Sequence, residues 1–486
     1  MSETAPSPVA PESDPAPGPD SVVTMSSPPS TLGEQRSGAE VAANLVAALV
    51  IGSVTPFLVR WTSPGSALGV PPYRFELIDI VPQLVMLAVL GIALLSQARG
   101  VGWLRSSGWL LAAAGLLGVA GLYAQGNTLD GQTLTLALTA AISLLIVGLL
   151  VAFARADGVA RWAIAIGLAA GISGGRQAVT LVVEALRDSP RAGGGDEVVF
   201  AGLGALVGAA GVALLVLRGR DERSGPGRSP SAWWSLVRWP VVALVIASVL
   251  AVALTRMQNA RLDTIARSYI GGISEADALA VQTQDLLVRV GIAVLVAALL
   301  VVAAQRSGGS AAARWVLVAF GIALVLVELP DSRGYQASWS TALVAVAGVA
   351  VGAVLVHRLD GALPWDALGL ALAAGLLVVD VPSVLGYLGV FGLGLAATAG
   401  IVRLAPRPAS VRAGRQPQLD RLGPVGVSVA VALGLAVWML SHQVVVPAAA
   451  FYRTDLGGVP ILPFGVLLAA GAIVVFALLD RRATRA

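Results

Sequence analysis

The sequence predicts an all-α integral membrane protein of about 14 transmembrane helices, arranged as two parallel six-helix halves plus a C-terminal helix pair. Three observations lead there. Of the 486 residues, 56% are hydrophobic and only 12% charged, with a mean hydropathy of +0.82; a soluble domain carries about 25% charged residues. The apolar residues come in continuous blocks close to the roughly 20 residues that a helix needs to cross the hydrocarbon layer. A polar signature also recurs at an offset of 203 residues, as it does in a duplicated unit.

Residues 1–38 hold eight prolines, five acids and one arginine, Arg36. They offer too little apolar surface to offset the entropy of ordering and predict a disordered cytoplasmic tail. They lack the basic start and hydrophobic core of a signal peptide. Spans follow at 39–58, 77–96, 108–125, 133–154, 161–183, 198–217, 239–255, 286–304, 313–330, 339–356, 363–380, 384–401, 422–440 and 461–479. Helices are required because open strand edges leave backbone groups unsatisfied in lipid, and the blocks do not alternate as barrel strands do. Segments after even-numbered spans, counted with the charged residues toward the adjoining span ends, hold 20 basic and 7 acidic residues; those after odd-numbered spans, counted alike, hold 11 and 15. The positive-inside rule then puts both termini in the cytoplasm. Trp103, Trp109, Trp162, Trp233, Trp234, Trp239, Trp315 and Trp365 fall at cytoplasmic span ends, as interfacial anchors do. Two linkers rich in Arg, Pro, Ser and Gly, 218–238 and 403–421, divide the chain. They leave a six-helix N-terminal half at 39–217, a six-helix C-terminal half at 239–402, and two extra helices with a basic tail at 422–486.

Composition also excludes chemistry. The chain has no cysteine and only two histidines, His357 and His442. Disulfides, thiolate metal sites and cysteine nucleophiles are absent, and neither a metal nor another cofactor is expected. All 32 basic residues are Arg, which removes Schiff-base and P-loop lysines. The bias toward Arg, Ala, Val, Leu and Gly suggests a bacterial cell membrane as the location. A pI near 9.9 reflects cytoplasmic loops and not a nucleic-acid surface. Expected partners are the lipid bilayer, a small-molecule substrate and protons; no feature indicates an oligomeric state. Both histidines read as interfacial.

The repeat rests on Arg155-Ala156-Asp157-Gly158 before Trp162, matched by Arg358-Leu359-Asp360-Gly361 before Trp365. Leu168-Ala169-Ala170-Gly171 and Leu372-Ala373-Ala374-Gly375 follow at an offset of 204. Arg99-Gly100 and Arg306-Ser307-Gly308 mark loops after spans 2 and 8, and span 5 carries Gly167, Gly171, Gly174 and Gly175. With the central charged linker, these features make residues 39–401 resemble the major facilitator superfamily. The glycines of span 5 resemble the antiporter motif of its exporters, although Ile172 stands where that motif has Pro, and Ala98 where the loop motif has Asp. The resemblance implies that span 5 packs on span 8 and span 2 on span 11.

Ionisable side chains inside spans are costly and are functional candidates by default. Arg176 lies fourteen residues beyond Trp162, about 21 Å along a helix. Asp380 is its repeat equivalent. Glu328 lies in the outer third of span 9, Asp79 opens span 2, and Asp285 and Arg289 open span 8. Under the resemblance, Arg176 pairs with Asp285 across one seam, with Arg289 bridging back to an acid. Asp79 and Asp380 then approach across the other seam and share a proton. The acids have a second reading as helix caps or flanks, and Ser274-Glu275-Ala276-Asp277 reads as a capping box. The cavity helices are neutral, offering Asn44, Ser53, Thr55, Thr139, Ser143, Ser248, Thr255, Ser340 and Thr341; hydroxyls in lipid commonly bond their own helix. Glycines of span 5 read as packing contacts.

Three functions fit these residues. The first is a secondary active transporter exporting a small neutral or amphipathic molecule against protons by alternating access, and not an enzyme. The second is a non-transporting membrane scaffold with a transporter-like fold. The third is a lipid-linked membrane glycosyltransferase using Arg74, Glu76 and Asp79. The short loop 59–76 and the lack of paired acids speak against the third.

Overall fold

The computed structural model describes residues 31–61, 91, 108–125, 131–156, 158–187, 195–218, 230–268, 272, 274–328, 338–359, 363–378, 383–405, 423–451 and 461–485. Every regular element among them is helical. They are α1 Thr31–Trp61, α2 Gly108–Gln125, α3 Gly131–Arg155, α4 Gly158–Ala170, α5 Arg176–Arg187, α6 Gly195–Arg218, α7 Pro230–Ser268, α8 Glu275–Glu328, α9 Trp339–Leu359, α10 Trp365–Ala373, α11 Val384–Val402, α12 Gly423–Phe451 and α13 Ile461–Arg485. A π turn, Gly171–Gly175, joins α4 to α5, and a 3-10 turn, Ala374–Leu377, extends α10. Nine helices among the described residues are long and apolar enough to cross a membrane, with three shorter apolar ones beside them. Each expected span coincides with a helix or helix arm except 77–96, which lies outside the described residues.

Spans 8 and 9 are the two arms of α8. The turn between them is Gly309, at φ 67 and ψ −166, a left-handed φ that glycine takes without a Cβ clash. Both arms lie against α12: Arg289 of the first reaches the Val444 carbonyl, and Trp315 of the second packs on Gly434. The chain therefore folds back at Gly309.

Burying apolar surface gives helices in lipid no drive to associate, so bundles are held by small residues that let backbones meet. Gly167 and Gly171 seat span 5 on the α1 backbone, at Leu45, Leu49 and Gly52. Gly108 and Gly148 seat α2 on α3, and Gly204 and Gly211 seat α6 on Leu117 and Leu110 of α2. Comparable contacts follow later in the chain. Gly434 seats α12 under Trp315 of the second α8 arm, Gly369 and Gly392 join α10 to α11, and Gly465 meets Leu324 of the second α8 arm. α13 also packs on α10. The pairings of α1, α2, α3, α4 and α6 thus recur in the second arm of α8, α10, α11, α12 and α13.

A Cβ at Gly171 would strike the Leu49 carbonyl, whereas one at Gly202 meets open space. Gly171→Ala should destabilise the folded protein by about 1–3 kcal/mol, the usual scale of overpacking, and Gly202→Ala should leave it unchanged. Melting of the two variants in one detergent checks this.

Candidate functional site

Polar and close-packed features gather at three places. The first is the seam along span 5. Its π turn, Gly171-Ile172-Ser173-Gly174-Gly175, widens the helix locally, an irregularity frequent at functional sites. The wide turn presses on two neighbours at once. Gly171 and Gly175 face Leu49 to Ser53 of α1, while Gly174 faces Ala342, Ala345 and Val346 of α9. At the other end Trp162 of α4 stands edge-on to His357 of α9, with ring centroids 5.8 Å apart. Nearby, Ser428 Oγ of α12 donates to the Leu150 carbonyl of α3 at 3.4 Å. The glycines of span 5 are packing contacts, as their pattern suggested.

The second place is a buried ion pair on the first arm of α8. Asp285 and Arg289 are 1% and 3% exposed. Arg289 Nε donates to both Asp285 oxygens at 3.0 Å, and its Nη2 donates to Asn259 Oδ1 at 2.6 Å. Its Nη1 reaches the Val444 carbonyl at 3.4 Å, and Gln258 Nε2 donates to Asp285 Oδ1 at 2.9 Å. One carboxylate–guanidinium pair thereby draws together α7, α8 and α12.

Asp285 is thus held by Arg289 and Gln258; its expected pairing with Arg176 rests on a side chain outside the described residues. One expectation is corrected: Asp285 does not open a helix, because α8 starts at Glu275, ahead of it in the chain. The cap lies upstream, where Asp277 N–H donates to Ser274 Oγ at 3.2 Å and that hydroxyl donates to Asp277 Oδ2. Gln258 and Asn259 were missed because span 7 was ended at 255, whereas α7 continues to Ser268.

The third place is at the arginine-rich end of the bundle. Asp366, fully buried at the second position of α10, accepts from Arg314 Nε at 2.9 Å and from Arg314 Nη2. Arg403 Nη1 adds a contact at 3.4 Å from the end of α11. Two-point arginine–carboxylate pairing fixes orientation as well as charge. Sequence reasoning had counted these arginines as topology signals. The available clue was an acid directly after the anchor Trp365, at the head of an apolar span. The matching position of α2 holds Trp109, whose Nε1 donates to Asn44 Oδ1 of α1 at 3.0 Å.

The neutral candidates are mostly occupied with local structure. Ser53, Thr55 and Ser143 each donate to the carbonyl four residues back at 2.7 Å. Asn44 is buried, donates to the Glu40 carbonyl and clasps α2. Thr341 and Ser338 bond reciprocally at the start of α9. Ser340 is exposed and bonds the Ser338 and Tyr387 hydroxyls. Thr139, Ser248 and Thr255 are buried. His442 is also buried, and α12 runs past it to Phe451. Asp79 and Asp380 lie outside the described residues, as do the side chains of Arg176 and Glu328.

No protein-family model matches the chain, and no curated protein does. Solved structures of transporters are similar at a distance. The E. coli xylose transporter XylE is 12% identical, with a TM-score of 0.45 over 92% of this chain and 98% of that one. The human organic anion transporter MFSD10 is 15% identical, TM-score 0.44, over 93% and 100%. A peptide transporter, POT, is 14% identical, TM-score 0.42, over 93% and 94%. At such scores the likeness carries no weight of its own.

Removing one member of a buried ion pair strands the other, at about 3–5 kcal/mol. Arg289→Met should therefore destabilise the protein by that amount, and Arg289→Met with Asp285→Leu should recover most of it. Arg314→Met and Arg314→Met with Asp366→Leu should behave alike. Melting of the single and double variants checks both sites.

Proposed function

We propose that the chain is a secondary active transporter working by alternating access, carrying a small neutral or amphipathic molecule outward in exchange for protons. The observation that carries this reading is the recurrence of one helix-pairing pattern in two sets of helices that meet along span 5, where Gly174 faces Ala342, Ala345 and Val346 of α9. The first set is α1 to α6. The second runs from the far arm of α8 to α13. The buried clasp supports it: Asn44 meets Trp109 in the first set where Arg314 meets Asp366 in the second.

In this division α7 and the first arm of α8 are an inserted pair in mid-chain, in place of a pair at the C-terminus. The 203-residue offset then joins two loops from one membrane side, 155–162 and 358–365, which resemble each other through shared topology. The division also counts α9 as the eighth helix of a twelve-helix frame. Its contact with span 5, through Gly174 and Trp162, is then the five–eight contact that the family resemblance implied. Sparse hydroxyls, largely bonded to their own helices, suit an apolar or amphipathic cargo better than an ionic one. In this count the span ending at Asp380 is the ninth helix and α12 the eleventh, so the resemblance no longer sets Asp380 against Asp79. Since arginine already holds both Asp285 and Asp366, we assign proton coupling to Asp79 and Asp380 singly and not as a pair.

The chain has no cysteine, so paired spin labels at introduced cysteines report only their own separation. Val159 with Leu359 flanks the arginine-rich end of the seam, and Val182 with Leu343 the opposite end; all four are exposed. In lipid nanodiscs the two pairs should each show two separations, one lengthening as the other shortens when pH is changed. A single fixed separation at both ends would support the scaffold reading instead. In everted vesicles, Asp380→Asn should abolish uptake of amphipathic dyes driven by a pH gradient.

A further inference from the structure

Trp239, near the start of α7, is 42% exposed and carries two guanidinium groups. Arg238 Cζ lies 5.7 Å from the ring centroid and Arg306 Cζ, from the first arm of α8, 4.9 Å. Both fall within the roughly 6 Å reach of cation–π attraction. Both arginines are exposed, and among the described residues no carboxylate pairs with either. One indole thus collects two like charges with no counter-ion among the described residues.

The surface running along the bundle from this point is apolar and open. Val242, Ile246 and Val249 continue the stripe of Trp239 at three- and four-residue spacing and are 44–57% exposed. On the neighbouring arm Val302 and Leu295 lie one and three turns from Arg306, 54% and 45% exposed. A ring with basic neighbours at one end of an apolar stripe matches the headgroup level of a bilayer, where Trp and Arg collect.

We propose that Arg238, Trp239 and Arg306 form a binding site for an anionic phospholipid, its phosphate bridging the two guanidinium groups and its acyl chains lying along α7 and α8. The charge pair calls for an anion, and the apolar stripe calls for an amphiphile. Free phosphate meets only the first requirement and a zwitterionic lipid only part of it. Basic clusters at a membrane face attract anionic headgroups in this way. The site lies on the inserted pair and shares no residue with the ion pairs or the seam, so it stands or falls apart from the transport reading.

The full chain is purified in detergent and titrated with phosphatidylglycerol or phosphatidylcholine, with bound lipid counted by native mass spectrometry. Arg238→Gln with Arg306→Gln should weaken phosphatidylglycerol binding about tenfold or more, the scale of two basic contacts to an anionic surface. The same pair changed to Lys should retain it within a few-fold, and Arg358→Gln, at an exposed arginine elsewhere, should have no effect. Melting temperature should be unchanged in all three. Should the double Gln variant unfold, Arg306→Gln alone is read in its place, with a several-fold loss expected. The proposal is overturned if the Gln variants bind phosphatidylglycerol as the parent does. It is equally overturned if phosphatidylcholine binds as tightly, or if inorganic phosphate displaces phosphatidylglycerol at matched concentration.

Discussion

Backbone contact through glycine is the constraint on which the bundle depends. Lipid tails are as apolar as leucine, so helices gain nothing by hiding leucine from them and must gain by close fit. Gly171 lies on the Leu49 carbonyl, Gly348 on that of Phe391, and Gly394 on that of Ala345. A Cβ at any of these positions would fall on backbone, which cannot step aside as a side chain can. These contacts fix which helices are neighbours, and the polar groups then find partners within a framework already set. Glycines such as Gly171, Gly348 and Gly394, which would weaken helices in water by raising the entropy cost of ordering, are what lets these helices meet closely in a membrane.

The buried charges play a different part. A buried ion pair adds little net stability, because desolvation offsets the attraction, yet separating its members is expensive. Such pairs therefore hold a fixed neighbour set better than they deepen a fold. Asp285 and Arg289 tie α7, the first arm of α8 and α12. Asp366, with Arg314 and Arg403, ties the second arm of α8, α10 and α11. The named contacts of the span 5–α9 seam are of another kind: Gly174 against alanines, and Trp162 against His357. Small-residue and aromatic surfaces slide at low cost, whereas guanidinium–carboxylate pairs do not.

Much of the architecture was legible in the sequence, since hydropathy blocks and glycine spacing report local requirements that lipid imposes on every helix. The capping pair Ser274 and Asp277 and the packing role of Gly167 and Gly171 were legible for the same reason. What hydropathy does not encode is which helix lies beside which. Asp285 looked like a helix-flanking acid because span 8 was begun at 286, where the hydropathy rises; the helix starts eleven residues earlier, at Glu275. Asp366 and Arg314 were hidden among charges that also serve topology. The match between Arg155–Trp162 and Arg358–Trp365 was real as a pattern. Under the proposed division it compares loops from one membrane side, whereas the recurring helix contacts relate α1 to the second arm of α8 and α2 to α10.

The short turn inside α8 bears on motion. Its two arms are separate helices joined at Gly309, and both rest on α12, through Arg289 at Val444 and Trp315 at Gly434. The ion pair adds α7 to the same body through Gln258 and Asn259. Under the proposed division, α7 and the first arm of α8 therefore belong to the second unit and not to a loose hinge. Relative motion would then fall where α4, the π turn and α5 meet α9 and α11, and where α1 and α3 meet α12. Where α3 meets α12, Ser428 Oγ donates to the Leu150 carbonyl at 3.4 Å. The π turn suits its place against α9, because a helix already widened by a residue changes its local pitch at less cost than a regular one.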